Sequence, residues 1–359
     1  MHRAREVIAL RVDRIGDLLV TTPALRNLRS AIPGARITLV TSPLGAGVLA
    51  GWDAIDTIEV LDPADRGAVR ANLLGRLRRL RPDVIFAFTP RSSVYLLAKR
   101  IGAPLRVGFG YQARPLDVAA ARCLLTHPVF SRVPEAVGRA REVPHHADEL
   151  LALLRAVGLP GEPCPMEAPI APSERTWADA LLAGSGIVVP PIVVHLSDKW
   201  LDEGWEPGDV VALLDALACV PGGRRVVATV GPADARIRRA LQPALDARQN
   251  GPLVLEHLTF GRWAALIAAS GLVVSPDTGA IHLASATGRP VVGVYAAHRF
   301  HVLSRQWAPW MVPHRALRKR HAPEGVDQIA QAASSLLEET AQARQMSGGA
   351  SRLRAGTRD

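Results

Sequence analysis

The chain has 359 residues, 48% apolar and 21% charged, which is a globular composition and enough chain for two domains of ordinary size. Lys and Arg outnumber Asp and Glu by 43 to 33, so the net charge is +10 and the partners favoured are polyanions: a phosphorylated substrate, an anionic membrane face or nucleic acid. The longest apolar stretch, Ile187–Leu196, is broken by Pro190, Pro191 and His195 and is too short to span a bilayer. Residues 1–12 lack the apolar core and cleavage site of a signal peptide, so a cytoplasmic location is expected. Cys123, Cys164 and Cys219 are odd in number and widely spaced, which suggests neither a disulfide framework nor a CxxC metal site; they are expected to be buried, inert thiols.

Val7–Val12 reads as a strand, and the turn Asp13-Arg-Ile-Gly-Asp17 leads into a helix through Leu18, Leu19, Leu25 and Leu28. Asp17 thus falls near a helix N-terminus at the carboxyl end of the first strand, the edge where open α/β sheets bind ligands. The residues alone leave open whether Asp17 caps the helix or faces a ligand. Pro33-Gly34 stops that helix, and Ala35–Thr41, Thr57–Leu61, Asp83–Phe88 and Leu105–Gly108 read as further strands. Helices Gly67–Leu80 and Ser92–Arg100 alternate with them, which argues for a parallel, doubly wound sheet.

From Tyr111 to Pro144 the pattern weakens. Arg114, Arg122, Arg132, Arg139 and Arg141 punctuate a stretch that is either a loop facing an acidic acceptor or a solvated surface. His145-His146 is rejected as a metal pair, because adjacent residues do not share a helix face and no carboxylate or Cys pattern accompanies them. Ala147–Val157 is a leucine-rich helix. The proline-dense run from Gly158 through Pro172 contains the expected linker, residues 161–173, between domains at 1–160 and 174–345.

A second alternating set begins with the strand Pro191–His195. Helix Pro207–Cys219, strand Arg224–Val230, helix Ala233–Arg248, strand Leu253–Leu255 and helix Gly261–Ser270 follow. The strand Gly271–Ser275 then stops at Pro276-Asp277-Thr278-Gly279, a helix begins, and Val291–Tyr295 is the next buried strand. Asp277 or Thr278 can cap the new helix, Gly279 admits a ligand close to the backbone, and the first-turn N–H groups attract anions, phosphate above all. His282, three residues on, is placed where its ring reaches a phosphate or ribose oxygen. A last helix, Val326–Gln345, is expected to precede a disordered basic tail, residues 346–359.

No GxGxxG follows either first strand, and neither GxxxxGK[ST] nor Asp-x-Asp occurs, so a dinucleotide fingerprint, a P-loop and a carboxylate pair for a metal are unsupported. The basic run Arg315–His321 has no aromatic-interleaved RNA motif or reading helix beside it, so no nucleic-acid partner is expected.

Two segments together resemble glycosyltransferase family 9, the heptosyltransferases of lipopolysaccharide core assembly. They are Arg11-Val-Asp-Arg-Ile-Gly-Asp-Leu-Leu-Val-Thr-Thr-Pro-Ala-Leu-Arg-Asn-Leu-Arg29, with Pro33–Ile37, and Ser275-Pro-Asp-Thr-Gly-Ala-Ile-His-Leu-Ala-Ser-Ala-Thr-Gly-Arg-Pro-Val-Val-Gly293. The resemblance implies a GT-B fold: two Rossmann-like, doubly wound parallel-sheet domains facing across a cleft, acceptor on the first and nucleotide-sugar donor on the second. It implies an inverting glycosyltransferase that uses no metal and no cofactor beyond its nucleotide-diphosphate sugar, plausibly ADP-heptose. Asp17 would be the general base, with Arg14, Gly16 and Thr22 on the acceptor side. Asp277, Thr278, Gly279 and His282 would lie at the donor, and Asp234 where a family acidic residue contacts the ribose.

The loop His195–Pro207 departs from the family, which places a Lys two residues before a Trp-Pro. With Trp205 as the matching Trp, Glu203 stands at the Lys position, and Lys199 is expected to substitute. The Gly-rich turn expected after Tyr295 is replaced by Ala296-Ala-His-Arg-Phe-His301. These departures keep other readings open: another nucleotide sugar or acceptor, or a catalytically silent nucleotide- or glycan-binding member. The expected acceptor is an anionic saccharide or lipid-linked sugar, met at the cytoplasmic face of the inner membrane, where a basic surface would help the enzyme sit.

Overall fold

The computed structural model describes residues 4–131, 143–248 and 251–355. Arg132, Arg139 and Arg141 of the proposed acceptor-facing loop lie outside these residues. The chain divides into two compact units, the first comprising Met1–Pro169 with Arg305–Trp307, the second Ile170–Ser304 with Ala308–Asp359.

The first unit is built on β1 (Glu6–Arg11), α1 (Ile15–Ala31), β2 (Arg36–Thr41), α2 (Pro43–Val48), β3 (Thr57–Val60), α3 (Gly67–Arg79), β4 (Val84–Ala87), α4 (Ser92–Ile101), β5 (Leu105–Tyr111), α5 (Pro115–Leu124), β6 (His127–Ser131) and α6 (His146–Arg155). Its six strands pair in parallel in the order β3-β2-β1-β4-β5-β6. Helices cover both faces of such a sheet, and this is why Val7, Ile8, Ala9 and Leu10 form an unbroken apolar run with every one of them buried. The order reverses between β1 and β4, so the carboxyl ends of these two strands border the switch point where a ligand crevice opens.

The second unit carries α7 (Pro172–Gly184), β7 (Ile192–Leu196), α8 (Pro207–Ala218), β8 (Val226–Val230), α9 (Ala235–Asp246), β9 (Leu253–Glu256), α10 (Phe260–Ala269), β10 (Leu272–Pro276), α11 (Gly279–Ala286), β11 (Val291–Tyr295), α12 (Phe300–Gln306, of which Arg305 and Gln306 belong to the first unit), β12 (His314–Arg318) and α13 (Glu324–Ala355). The strand order β12-β11-β10-β7-β8-β9, again all parallel, places its switch point between β7 and β10. Val326, Ile329, Ala333, Leu336 and Leu337 of α13 recur at three- and four-residue intervals and close the core beneath this sheet.

Several elements differ from the sequence expectation. Pro172, read as a linker proline, is the first residue of α7, where its fixed φ and missing N–H cost nothing. Pro115 opens α5 in the same way, and β6 tolerates Pro128 because it is an edge strand. The basic run at 315 contributes the edge strand β12. Helix α13 continues to Ala355, past Gln345: no proline follows to stop it, so the segment expected to be a disordered tail is helical as far as it is described. The cysteines are not all buried either. Cys123 and Cys219 are exposed and Cys164 is half-buried, since α5 turns only Ala121 fully inward and Cys219 lies beyond the last core residue of α8.

Candidate active site

At the first switch point, α1 starts directly after the β1 turn and brings Asp17 into its first helical turn. The backbone N–H of Arg14 donates to Asp17 Oδ2 at 3.3 Å, so the carboxylate does cap the helix, as its position suggests. It does more than that. Arg11, the last residue of β1 and 1% exposed, donates from Nη2 to Asp17 Oδ1 at 3.2 Å and from Nε to the Asp17 carbonyl at 3.1 Å. The other end of the guanidinium donates to the Phe88 carbonyl beyond β4 and lies 3.6 Å from Asp13 Oδ2. Asp13 is itself fixed by the Thr89 hydroxyl at 2.7 Å, with Arg91 3.4 Å away. Asp17 remains 22% exposed, so the carboxylate keeps access to a ligand while one flank is pinned by a buried cation.

Of the acceptor-side expectations, Arg14 is exposed at the helix start and Gly16 is buried in the first turn. Thr22 is a correction. It is fully buried, donates to the Leu19 carbonyl at 2.7 Å and accepts from the Glu167 N–H at 3.0 Å. Its side chain fastens the segment before α7 to α1 and is unavailable to an acceptor.

At the second switch point, β7 ends at Leu196 and is followed by Ser197, whose hydroxyl accepts from the Lys199 N–H and starts a 3₁₀ turn at Asp198–Leu201. That turn presents Lys199, 47% exposed, to the end of β10. Its ammonium donates to the Asp277 carbonyl and stands 3.7 Å from Asp277 Oδ2. Thr278 caps α11 by accepting from the Ala280 N–H at 3.2 Å, and its hydroxyl also meets Ser275 Oγ at 2.9 Å. Helix α11 begins at Gly279; of its first-turn N–H groups, Ala280 donates to the Thr278 hydroxyl and Ile281 to the Thr278 carbonyl at 3.2 Å. Lys199, Asp277, Thr278 and Gly279 are therefore brought together around one helix N-terminus.

Asp234 and His282 are placed differently from the expectation. Asp234 Oδ1 accepts from the Asp198 N–H at 3.1 Å and its Oδ2 lies 3.9 Å from His195 Nε2, while Asp198 Oδ1 in return accepts from the Ile237 N–H at 2.8 Å. This exchange ties the 3₁₀ turn to α9, so Asp234 shapes the loop that carries Lys199. Burial pushes the pKa of His195 down to about 4 against the opposing pull of Asp234, and the ring stays neutral at physiological pH. His282, 4% exposed on the inner side of α11, offers almost no surface to a ligand.

Two groups fix this loop in ways that sequence reading missed: Lys319 from outside it, and Glu203 on it, which the sequence marks only as standing at the family Lys position. Lys319, just after β12, is buried, and its ammonium donates to the carbonyls of Lys199, Trp200 and Asp202 at 2.9, 2.8 and 2.5 Å. Burial pushes its pKa down to about 8, opposed by Asp202 and Glu203. Glu203, at the position of the expected family Lys, has φ of +56° and accepts from the Ala297 N–H at 2.9 and 3.0 Å and pairs with His298 Nδ1 at 2.9 Å. Burial works to raise its pKa, but the Ala297 N–H and His298 outweigh this and hold it below the usual range. A lone buried Lys is a legible signal only when its partners are known, and these are backbone carbonyls without any sequence signature.

Two doubly wound parallel sheets, one in each unit, are the architecture of the GT-B class of glycosyltransferases. The profile of Glycosyltransferase family 9 (heptosyltransferase) matches residues 70–331, and the chain belongs to that family; it is a glycosyltransferase. Among relatives, it is 23% identical over 303 residues to the lipopolysaccharide core heptosyltransferase OpsX of Haemophilus influenzae, covering 82% of this chain and 80% of that one. Among solved structures, a glycosyl transferase family 9 protein from Veillonella parvula superposes with a TM-score of 0.76 at 21% identity, over 93% of this chain and 97% of that one. The E. coli ADP-heptose lps heptosyltransferase II gives 0.71 at 17% identity, over 93% and 99%. Asp17 precedes the residues matched by the profile.

Proposed function

We propose that the enzyme transfers heptose from ADP-heptose to a hydroxyl of a lipopolysaccharide-core or other cell-envelope saccharide, with inversion at the anomeric carbon and without a bound metal. The observation that carries this reading is the Asp17 carboxylate, accessible yet pinned by Arg11 at the carboxyl end of β1. A base must be fixed within reach of the proton it takes. Asp17 removes that proton from the acceptor hydroxyl as the oxygen attacks the anomeric carbon, and the bond from that carbon to the diphosphate oxygen breaks with its electron pair leaving on ADP. The departing diphosphate gains charge, and Lys199 with the N-terminus of α11 is suited to receive it. Metal independence rests on the family resemblance and on the lack of an Asp-x-Asp motif.

The basic surface supports a peripheral approach to an anionic membrane, and among the described residues no helix is long and apolar enough to cross one. Glu203 in place of the family Lys, tied to the Ala297–His298 turn, favours a second reading in which the donor is a different nucleotide sugar.

ADP release from ADP-heptose with a core saccharide acceptor, run with and without EDTA and beside a panel of other nucleotide sugars, tests both. Release insensitive to EDTA is expected, and abolition by EDTA counts against the metal-free mechanism. Asp17→Ala should lower kcat by about 10²- to 10⁴-fold, the usual worth of a general base, with ADP affinity nearly unchanged. Wild-type turnover in that variant removes the base assignment.

A further inference from the structure

Behind Asp17 the first unit contains a buried polar chain that the reaction as described does not use. Arg11 Nη2, besides binding Asp17, lies 3.2 Å from Nε2 of His146 at the start of α6. His146 Nδ1 is 2.8 Å from Glu149 Oε2, one helical turn on. Glu149 in turn accepts from the Ser131 hydroxyl at the end of β6 and from Gln306 Nε2 at 3.4 Å, both within the same unit. The His146 ring is 1% exposed and clamped between Phe109 and Trp307, with ring centroids 5.5 and 4.5 Å away.

The direction of the hydrogen bonds is fixed by chemistry. A guanidinium has only donors, so His146 Nε2 facing it must offer its lone pair. The ring hydrogen therefore sits on Nδ1 and is donated to Glu149. This makes His146 a neutral spacer that receives from Arg11 and passes the orientation constraint on to a buried carboxylate. Arg11 cannot then swing toward another acceptor, because its remaining donors face Phe88, Asp13 and Asp17 itself. Asp17 is the member of the chain that stays open to a ligand, whereas His146 is too buried to touch one.

We infer that Arg11, His146 and Glu149 form a positioning relay that holds the Asp17 carboxylate in its reactive orientation. The inference rests on Asp17 being the base. His146 is a positioning residue: its removal should lower kcat and spare donor binding. An off-geometry base loses rate steeply, since a misplacement of about 1 Å can cost on the order of 10²-fold.

The test compares His146→Leu, His146→Asn and His146→Gln in the full chain, measuring kcat and KM for ADP-heptose, ADP affinity and Tm, with Asp17→Asn as reference. A Gln carbonyl can reach roughly where Nε2 accepts from Arg11, whereas Asn imitates only the Nδ1 position. The expected result is kcat about 10- to 100-fold down in Leu and Asn, within about fivefold of wild type in Gln, and ADP affinity within about twofold throughout. Wild-type kcat in His146→Leu, with Asp17→Asn inactive, overturns the relay and leaves the base standing. Equal loss in folded Gln and Asn variants also overturns it. Wild-type turnover in Asp17→Asn instead removes the base reading beneath it. Should His146→Leu fail to fold, Arg11→Lys carries the test, because it keeps the charge and loses the fork that reaches both partners. Wild-type kcat in Arg11→Lys overturns the proposal.

Discussion

Lys319 shows how one side chain can shape a site it never enters. Its three carbonyl acceptors all lie on the loop that presents Lys199, where the Lys199 and Asp202 carbonyls also accept long backbone bonds, from the Asp202 N–H at 3.4 Å and the Trp205 N–H at 3.5 Å. A buried group left without a partner costs about 1–3 kcal/mol, so Lys319→Met should destabilise the second unit by about 1–3 kcal/mol although it adds apolar surface. Because the loop loosens around Lys199, KM for ADP-heptose should rise more than kcat falls. Urea unfolding and steady-state kinetics read the two effects, and an unchanged KM in a folded Lys319→Met chain would show that the loop holds its shape without the clamp. Residues of this kind mark where sequence reading stops. Asp17, Asp277 and Thr278 were legible because helix starts and strand ends have local signatures, and Lys199 stands out only as a substitute for the Lys that the family resemblance leads one to expect. Arg11, His146 and Lys319 act across 77 to 135 positions of chain, and Glu149 reaches Gln306 across 157, through partners that no local pattern announces. Arg11 did leave a trace, since a charge inside the apolar run Val7–Val12 had to find partners when the strand was buried.

At the scale of elements, β7 and β8 share a buried pair: His195 Nδ1 meets the Thr229 hydroxyl at 3.1 Å, with Trp263 of α10 packed 5.2 Å from the ring. The folded-state pKa of about 4 lies below the ordinary 6.5. Between those values the unfolded chain binds a proton that the native chain refuses, so native stability falls as pH drops through the window and levels off below it. The contribution is on the order of 3 kcal/mol, for a shift of about 2.5 pKa units at 1.36 kcal/mol each. His195→Asn keeps an amide near the Thr229 hydroxyl and cannot titrate. The difference in urea midpoint between wild type and variant should therefore shrink steadily from pH 6.5 to 4, and a pH-independent difference would mean that His195 takes its proton in the folded state. Most strands and helices were legible at this scale, because strands buried on both faces read as unbroken apolar runs and the helices between them carry a 3.6-residue period. Among the elements that escaped, α2, α5 and α7 begin with proline and β6 and β12 sit at sheet edges, where half-burial dilutes the pattern; the short α12 escaped as well.

For the whole molecule, the excess of 43 basic over 33 acidic residues is a property of the surface and does not select the fold. Part of it is concentrated on α3 of the first unit, where Leu73 and Leu77 turn inward and Arg66, Arg70 and Arg79 are exposed around the helix. A basic residue at an anionic bilayer contributes about 1 kcal/mol, and the attraction decays within a Debye length of about 8 Å at physiological salt. If α3 is where the enzyme meets the membrane that carries its acceptor, reversing Arg66, Arg70 and Arg79 to Glu removes at least ~3 kcal/mol, or roughly a hundredfold in partitioning onto vesicles rich in phosphatidylglycerol. Turnover with a soluble acceptor fragment should not change, because none of the three touches Asp17 or Arg11. The wild-type protein should leave the same vesicles as salt is raised toward about 1 M, where the Debye length falls to about 3 Å. Partitioning of the reversed variant equal to wild type would place the membrane contact on another face, and binding that survives high salt would make the contact apolar rather than electrostatic.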